Sequence, residues 1–303
     1  MEEWQASEQG KAVAGEPLIA WRTGHESAKS FTPPQGAQRP LAGLRVLDLT
    51  RVLAGPVATR FLAQLGAEVL RIDPPWWDEP GLTPEVMLGK RSATLDLTDA
   101  DQRRLLLKLI ADADVVVHGY RPGALDRLGL DAATRQQVRP RLIDVSLDAY
   151  GWTGSWRGRR GFDSIVQMST GIAHAGMHGL ARDKPAPLPV QALDHGTGYL
   201  MAYAVINALA NQQDTGCGAI AHLSLARTAH LLTSYGVVDP VDPVDPVDPE
   251  DSLSPETESD IEAAIEHTGW GPAHRLYPPV AIEGVKLSAE RGGRPLGTDT
   301  PCW

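Results

Sequence analysis

Cysteine is scarce. The 303-residue chain has two, Cys217 and Cys302, and no CxxC pair. That excludes a disulfide scaffold and a cysteine zinc site, no metal centre is expected, and the composition fits a reducing, cytoplasmic setting. Long apolar runs are also missing. The longest, residues 199–210, is interrupted by Asn207 and falls short of the ~20 residues that a spanning helix needs. The N-terminal Met1-Glu2-Glu3-Trp4 is acidic and lacks the apolar stretch of a signal peptide. No membrane partner is expected. Positive charge is in deficit, with 28 Lys and Arg against 38 Asp and Glu and a formal net charge of −10. Nucleic acid is not expected as a partner either, because phosphate binding needs clustered cations. No GxGxxG, GxSxG, HExxH, Walker A or kinase signature occurs, so the common dinucleotide, hydrolase and phosphoryl-transfer fingerprints are absent.

What is present is an alternation of apolar strands and amphipathic helices. Hydrophobic residues make up 42% of the chain and charged residues 22%, which is globular rather than disordered composition. Residues 44–49 read as a buried strand, and Gly55-Pro56 opens a helix carrying Val57, Phe61, Leu62 and Leu65 at helical spacing. Gly66 ends that helix, and residues 67–72 form the next strand. Such a strand–helix–strand unit predicts parallel strands with a right-handed crossover. Strands follow at 93–97, 114–117, 141–146 and 220–225. Thr98 and Asp101 are read as the cap of a helix through Ile110, with further helices at 163–172, 196–211 and up to Thr233. The fold class expected is α/β, a Rossmann-like open parallel sheet with helices on both faces.

The flanks read differently. Residues 1–40 are rich in Glu, Gln, Gly and Pro, and are taken as an N-terminal extension or linker with a few docked side chains before a domain at 41–235. Val-Asp-Pro repeats four times from Val238 to Pro249. Proline at every third position removes donors and fixes φ, so residues 236–256 are expected to be an extended acidic linker. A helix at 257–266 and a loop-rich tail to residue 303 are expected to return to the domain.

Ligands of open α/β sheets bind beyond the carboxyl ends of the strands. Arg51 stands there before a helix N-terminus, a setting that suits phosphate. Lys90 and Arg91 precede a later strand, and Tyr120, Arg121 and Arg127 follow another. Cations at several strand ends of an acidic protein point to a local anion site, with Tyr120 available to stack on a base. Asp194 sits in Leu193-Asp194-His195-Gly196-Thr197-Gly198 before a helix. It is either an N-cap or a reactive carboxylate near backbone N–H groups. Asp163 also reads as a cap. His195 neighbours Asp194, but adjacent helical residues diverge, so no dyad follows.

These signals fall in a familiar order. Residues 41–56 (LAGLRVLDLTRVLAGP), 89–97 (GKRSATLDL), 113–129 (ADVVVHGYRPGALDRLG), 141–154 (RLIDVSLDAYGWTG), 161–171 (GFDSIVQMSTG) and 190–198 (VQALDHGTG) resemble the class III CoA-transferases, the CaiB/BaiF family. The resemblance implies coenzyme A or acyl-CoA as substrate, no permanently bound cofactor, and CoA contacts at Arg51, Val52, Leu53, Lys90, Tyr120, Arg127 and Tyr150. It implies Asp194 as the nucleophile, forming a mixed anhydride and then an aspartyl-CoA thioester that a carboxylic acid acceptor resolves. Backbone N–H groups near Gly196–Gly198 would stabilise the oxyanions. A homodimer is implied, or a heterodimer with a chain supplying a small domain that is reduced here. In the racemase branch of the family a histidine base stands where Phe162 does; phenylalanine cannot move a proton, which disfavours racemisation.

Overall fold

The computed structural model describes residues 1–26, 30–236 and 256–303. The Val-Asp-Pro tract expected as a linker lies outside the described residues.

The chain opens with two short helices, α1 (Glu2–Ala6) and α2 (Glu8–Gly15), and a strand, β1 (Ala20–Glu26). The first half of the sheet unit then runs β2 (Arg45–Leu49), α3 (Ala54–Gln64), β3 (Glu68–Asp73), α4 (Thr83–Val86) and β4 (Lys90–Thr94). The second runs α5 (Ala100–Asp112), β5 (Val115–His118), α6 (Ala132–Val138), β6 (Ile143–Asp148), α7 (Asp163–Ser169), α8 (Ile172–Gly179), α9 (Ala192–Thr215), β7 (Cys217–Ser224) and α10 (Leu225–Ser234). A hairpin, β8 (Ile261–Thr268) and β9 (Gly271–Leu276), precedes the tail.

Seven strands form one sheet in the order β1-β7-β6-β5-β2-β3-β4. All pairs are parallel except β1 with β7. Leaving out β1, the order is that of a doubly wound dinucleotide-type sheet, with its reversal between β2 and β5. Alternate residues of the central strands face opposite layers. Val46, Val69, Val115 and Val145 pack under α3 and α9 with Phe61, Leu62, Met201 and Val205. Leu47, Leu70, Val116 and Ile72 pack under α5 with Leu106, Leu109 and Ile110. Each fully buried aliphatic side chain contributes ~1.5–3 kcal/mol, so these two layers hold the sheet that positions the site.

Three sequence readings change. The α5 cap is Asp99, whose carboxylate accepts the N–H of Asp101 and Gln102; Thr98 instead donates to Asp96. Residues 1–26 dock by two helices and a paired strand, more than by a few side chains. Val13 is buried against Tyr150, Leu193 and Leu225, Gln9 donates to the Tyr150 carbonyl, and β1 pairs with the edge of β7. The helix expected at 257–266 is a single 3-10 turn followed by β8. Its Ala/Glu-rich residues have helical propensity, but pairing with β9 across the Gly269-Trp270 turn overrides it. The tail beyond β9 returns along the β4 edge: Asp299 accepts the Ser92 N–H, and the Trp303 indole donates to the Leu109 carbonyl.

Candidate active site

The loops leaving β2, β5 and β6 at their carboxyl ends line one cleft of about 510 Å3. It sits at the reversal of strand order, where such sheets take ligands.

Arg51, at the end of β2, lies in this cleft between two rings. Its guanidinium carbon is 4.4 Å from the centre of Trp77 and 5.5 Å from that of Tyr120. Its Nη2 is 3.4 Å from the Tyr120 hydroxyl, and its Nε is 3.6 Å from Asp73 Oδ1. Val52 has φ of +66°, which a β-branched residue rarely adopts. Its N–H is not open to a ligand, because it donates to Glu79 Oε1 at 2.7 Å. Leu53 is the N-cap residue of α3; it lines the cleft and is buried against Val57 and Met87. Tyr120 and Arg127 also line the cleft.

Two residues assigned by resemblance are elsewhere. Lys90 is buried and does not line the cleft. Its ammonium donates to Asp48 Oδ2 at 3.0 Å, the Pro56 carbonyl at 2.9 Å and Thr59 Oγ1 at 2.6 Å. Three donors meet three acceptors, so none is left for a ligand. Tyr150 is buried in an aromatic group with Trp4 and Trp156, and its hydroxyl pairs with Ser169 Oγ at 2.8 Å. In place of these two, the cleft contains Trp77, Arg121, Arg159 and Arg160. Arg159 stacks over Trp156 at 3.9 Å. The signal for these four was local: a Trp76-Trp77 pair, Arg121 next to Tyr120, and three arginines within residues 157–160 of a glycine-rich loop.

Asp194 lies in the first turn of α9, lines the cleft and is only 6% exposed. Its carboxyl is pushed up to about 7, first by burial and then by the negative Asp163. Asp163, at the start of α7, is buried beneath it. Its Oδ2 accepts the N–H of Leu193 at 2.8 Å and of Asp194 at 3.0 Å, and the Gln167 amide donates to its other oxygen. Asp163 is thus a cap, but of α9 rather than of its own helix. Asp194 is not the N-cap, which is Gln191.

The oxyanion site expected near Gly196–Gly198 does not form. Those glycines are inside α9 rather than in a turn. The first-turn N–H groups are already bonded, that of Ala192 to the Val190 carbonyl and those of Leu193 and Asp194 to Asp163. Gly198 instead allows α9 to approach α3 closely: a Cβ there would lie 2.5 Å from the Ala54 carbonyl oxygen. Phe162 lines the cleft beside Asp163 and is 61% exposed. Asp148 is a second cleft carboxyl, pushed up to about 6 by burial although it accepts the N–H of Tyr150 and Gly151.

No helix among the described residues is long and apolar enough to cross a membrane. The chain is 33% identical over 239 residues to an acyl-CoA transferase of Fusarium pseudograminearum, covering 72% of this chain and 51% of that protein. It is 31% identical over 232 residues to the succinyl-CoA–L-malate CoA-transferase alpha subunit of Chloroflexus aurantiacus, covering 72% of this chain and 51% of that one. The crystal structure of Rv3272 from Mycobacterium tuberculosis superposes with a TM-score of 0.60 at 34% identity, over 65% of this chain and 56% of that one. The chain spans about half the length of these curated relatives. The sequence profile of CoA-transferase family III covers residues 41–258, the stretch that builds the sheet from β2 to β7 and the whole cleft; the chain belongs to CoA-transferase family III.

Proposed function

We propose that this chain transfers CoA from an acyl-CoA donor to a carboxylic acid acceptor, with Asp194 as the covalent nucleophile. The observation that carries this is the placement of Asp194: a buried carboxyl at the inner wall of an arginine-lined cleft, with its pKa held near neutrality. Arg51, Arg121, Arg127, Arg159 and Arg160 give an otherwise acidic protein a concentrated cationic cleft, suited to the phosphates of CoA. The flat faces of Trp77 and Tyr120 suit an adenine ring.

The steps balance as two paired exchanges. The ionised Asp194 oxygen attacks the thioester carbonyl of the donor and expels CoA thiolate, leaving an acyl-aspartyl anhydride. The thiolate attacks the aspartyl carbonyl, releases the donor acid as its carboxylate and leaves aspartyl-CoA. The acceptor carboxylate then attacks that thioester, expelling thiolate and forming a second anhydride. The thiolate attacks the acceptor carbonyl, giving the new acyl-CoA and restoring Asp194. Burial deprives the carboxylate of water, which strengthens it as a nucleophile and slows hydrolysis of the anhydride. The α9 dipole favours the anion by ~0.3–1 kcal/mol, less than burial and Asp163 oppose it, consistent with the raised pKa. Phe162 offers no proton-transfer group, which argues against racemisation.

In this first reading the chain acts as a homodimer. A second reading has it as a CoA-binding subunit without independent turnover, whose site a second, different chain completes. It rests on the chain's spanning about half its relatives' length, one of them named an alpha subunit. A cytoplasmic setting suits both readings and the two unpaired cysteines. Isotope exchange separates them. Labelled carboxylic acid entering acyl-CoA with this chain alone supports independent turnover; saturable CoA binding without exchange supports the assembly.

A further inference from the structure

The ends of β2 and β3 are joined by a closed ring of charged groups, all buried except Arg51. Arg71 on β3 is fully buried; its Nε donates to Asp73 Oδ2 at 2.7 Å and its Nη2 to Glu79 Oε2 at 2.8 Å. Glu79 is itself buried, and its second oxygen accepts the Val52 N–H at 2.7 Å. Asp73 reaches Arg51 Nε at 3.6 Å. Arg51 and Val52 are consecutive, so both ends of the ring close on the same turn of the β2–α3 loop. The loop that carries Glu79 also carries Trp77, which covers the Arg51 guanidinium at 4.4 Å.

Two features of this ring are hard to explain by stability alone. First, it sustains Val52 at φ of +66°, a backbone that β-branched residues adopt only under constraint. Second, a protein carboxylate occupies the N–H at the start of α3, where an anionic ligand would otherwise bind. The N–H is used to fix the loop, and the anion-binding task falls to the side chain of Arg51.

We propose that Glu79 is a positioning residue of the cleft: anchored by Arg71, it accepts the Val52 N–H, holds that backbone in its left-handed conformation and so presents the adjoining Arg51 to the ligand. This rests on the CoA-binding reading given above, but the constraint on the loop is a property of the ligand-free protein.

Two readouts on four proteins test it: wild type, Glu79→Ala, Val52→Gly and the double variant. The first is hydrogen exchange of residues 50–55 without ligand. Loss of a hydrogen bond to a charged acceptor should accelerate exchange in Glu79→Ala about tenfold or more. The second is the affinity for coenzyme A. Glu79→Ala should weaken it about tenfold. Glycine takes positive φ without constraint, so in the Val52→Gly background the same change should weaken binding less than about threefold. Unchanged exchange in Glu79→Ala would overturn the proposal, as would unchanged CoA affinity or an equal loss of affinity in both backgrounds. If Glu79→Ala does not fold, Glu79→Leu replaces it, since its side chain fills similar space and accepts from neither Val52 nor Arg71, and the same directions hold. A wild type that binds no CoA would refute the CoA reading, while the exchange result would still decide whether Glu79 constrains the loop.

Discussion

Asp163 accepts the backbone N–H of Asp194 at 3.0 Å while its negative charge raises the pKa of the Asp194 side chain. One buried carboxylate therefore both anchors the candidate nucleophile and tunes it. Burial is the larger cause of the shift and Asp163 the smaller. Below about 7 the Asp194 carboxyl is protonated and cannot attack; above it the carboxylate predominates. The rate of covalent adduct formation should thus rise with pH through a limb near 7. Asp163→Asn removes the repelling charge and should move that limb to lower pH, though still above the ordinary value of 3.8 because burial remains. A limb that stays in place or rises would contradict this assignment.

The same shift has a consequence for stability. The folded-state pKa of Asp194 lies above its unfolded value, so between about 4 and 7 the folded chain binds more protons. Its contribution to stability is largest at the acid end of that window and is lost as pH rises. Asp194→Asn should flatten this part of the stability–pH curve, measured by denaturant melts at fixed ionic strength.

Arg51 should govern affinity for CoA rather than folding. Arg51→Ala should weaken CoA binding by about tenfold to a hundredfold, the range for loss of a charge-assisted contact. Trp77→Ala, which removes the ring over its guanidinium, should weaken it by about fivefold through the lost cation–π contact. Titration calorimetry at two salt concentrations reads both, and wild-type binding should weaken with salt. Unchanged affinity in Arg51→Ala would remove Arg51 from the anion site.

Lys90 should behave in the opposite way. Lys90→Met removes the ammonium from the buried Asp48, which keeps only its bonds from Thr50 and Thr59, and should cost about 3–5 kcal/mol of stability. Asp48→Asn combined with Lys90→Met should recover most of that loss and bind CoA with near wild-type affinity. A large drop in CoA affinity in this folded double variant would return Lys90 to the ligand site.

The contrast between Arg51 and Lys90 shows what the sequence could convey. Strand and helix periods placed the α/β sheet, and the cleft followed from the strand-end rule, so Arg51, Tyr120, Arg127 and Asp194 were legible as residues near the strand ends or a helix start. Lys90 was legible only as a cation near a strand. That its side chain would turn inward to Asp48 depends on a partner 42 residues away, across the intervening β3. Asp163 was recognised as a cap, but its helix lies 30 residues further on. Gly196 and Gly198 were expected beside an oxyanion, whereas both are interior positions of α9, and Gly198 is where that helix meets α3. Pairings across long separations and the inward turn of a polar side chain leave no periodic trace.

Covalent transfer through Asp194 is tested most directly by intact-mass spectrometry of the pure chain after mixing with a panel of acyl-CoA donors, beside Asp194→Ala. A CoA-sized adduct on the wild type, absent from Asp194→Ala, is the predicted result. The same adduct on Asp194→Ala, or none on a wild type that binds CoA saturably, would contradict it.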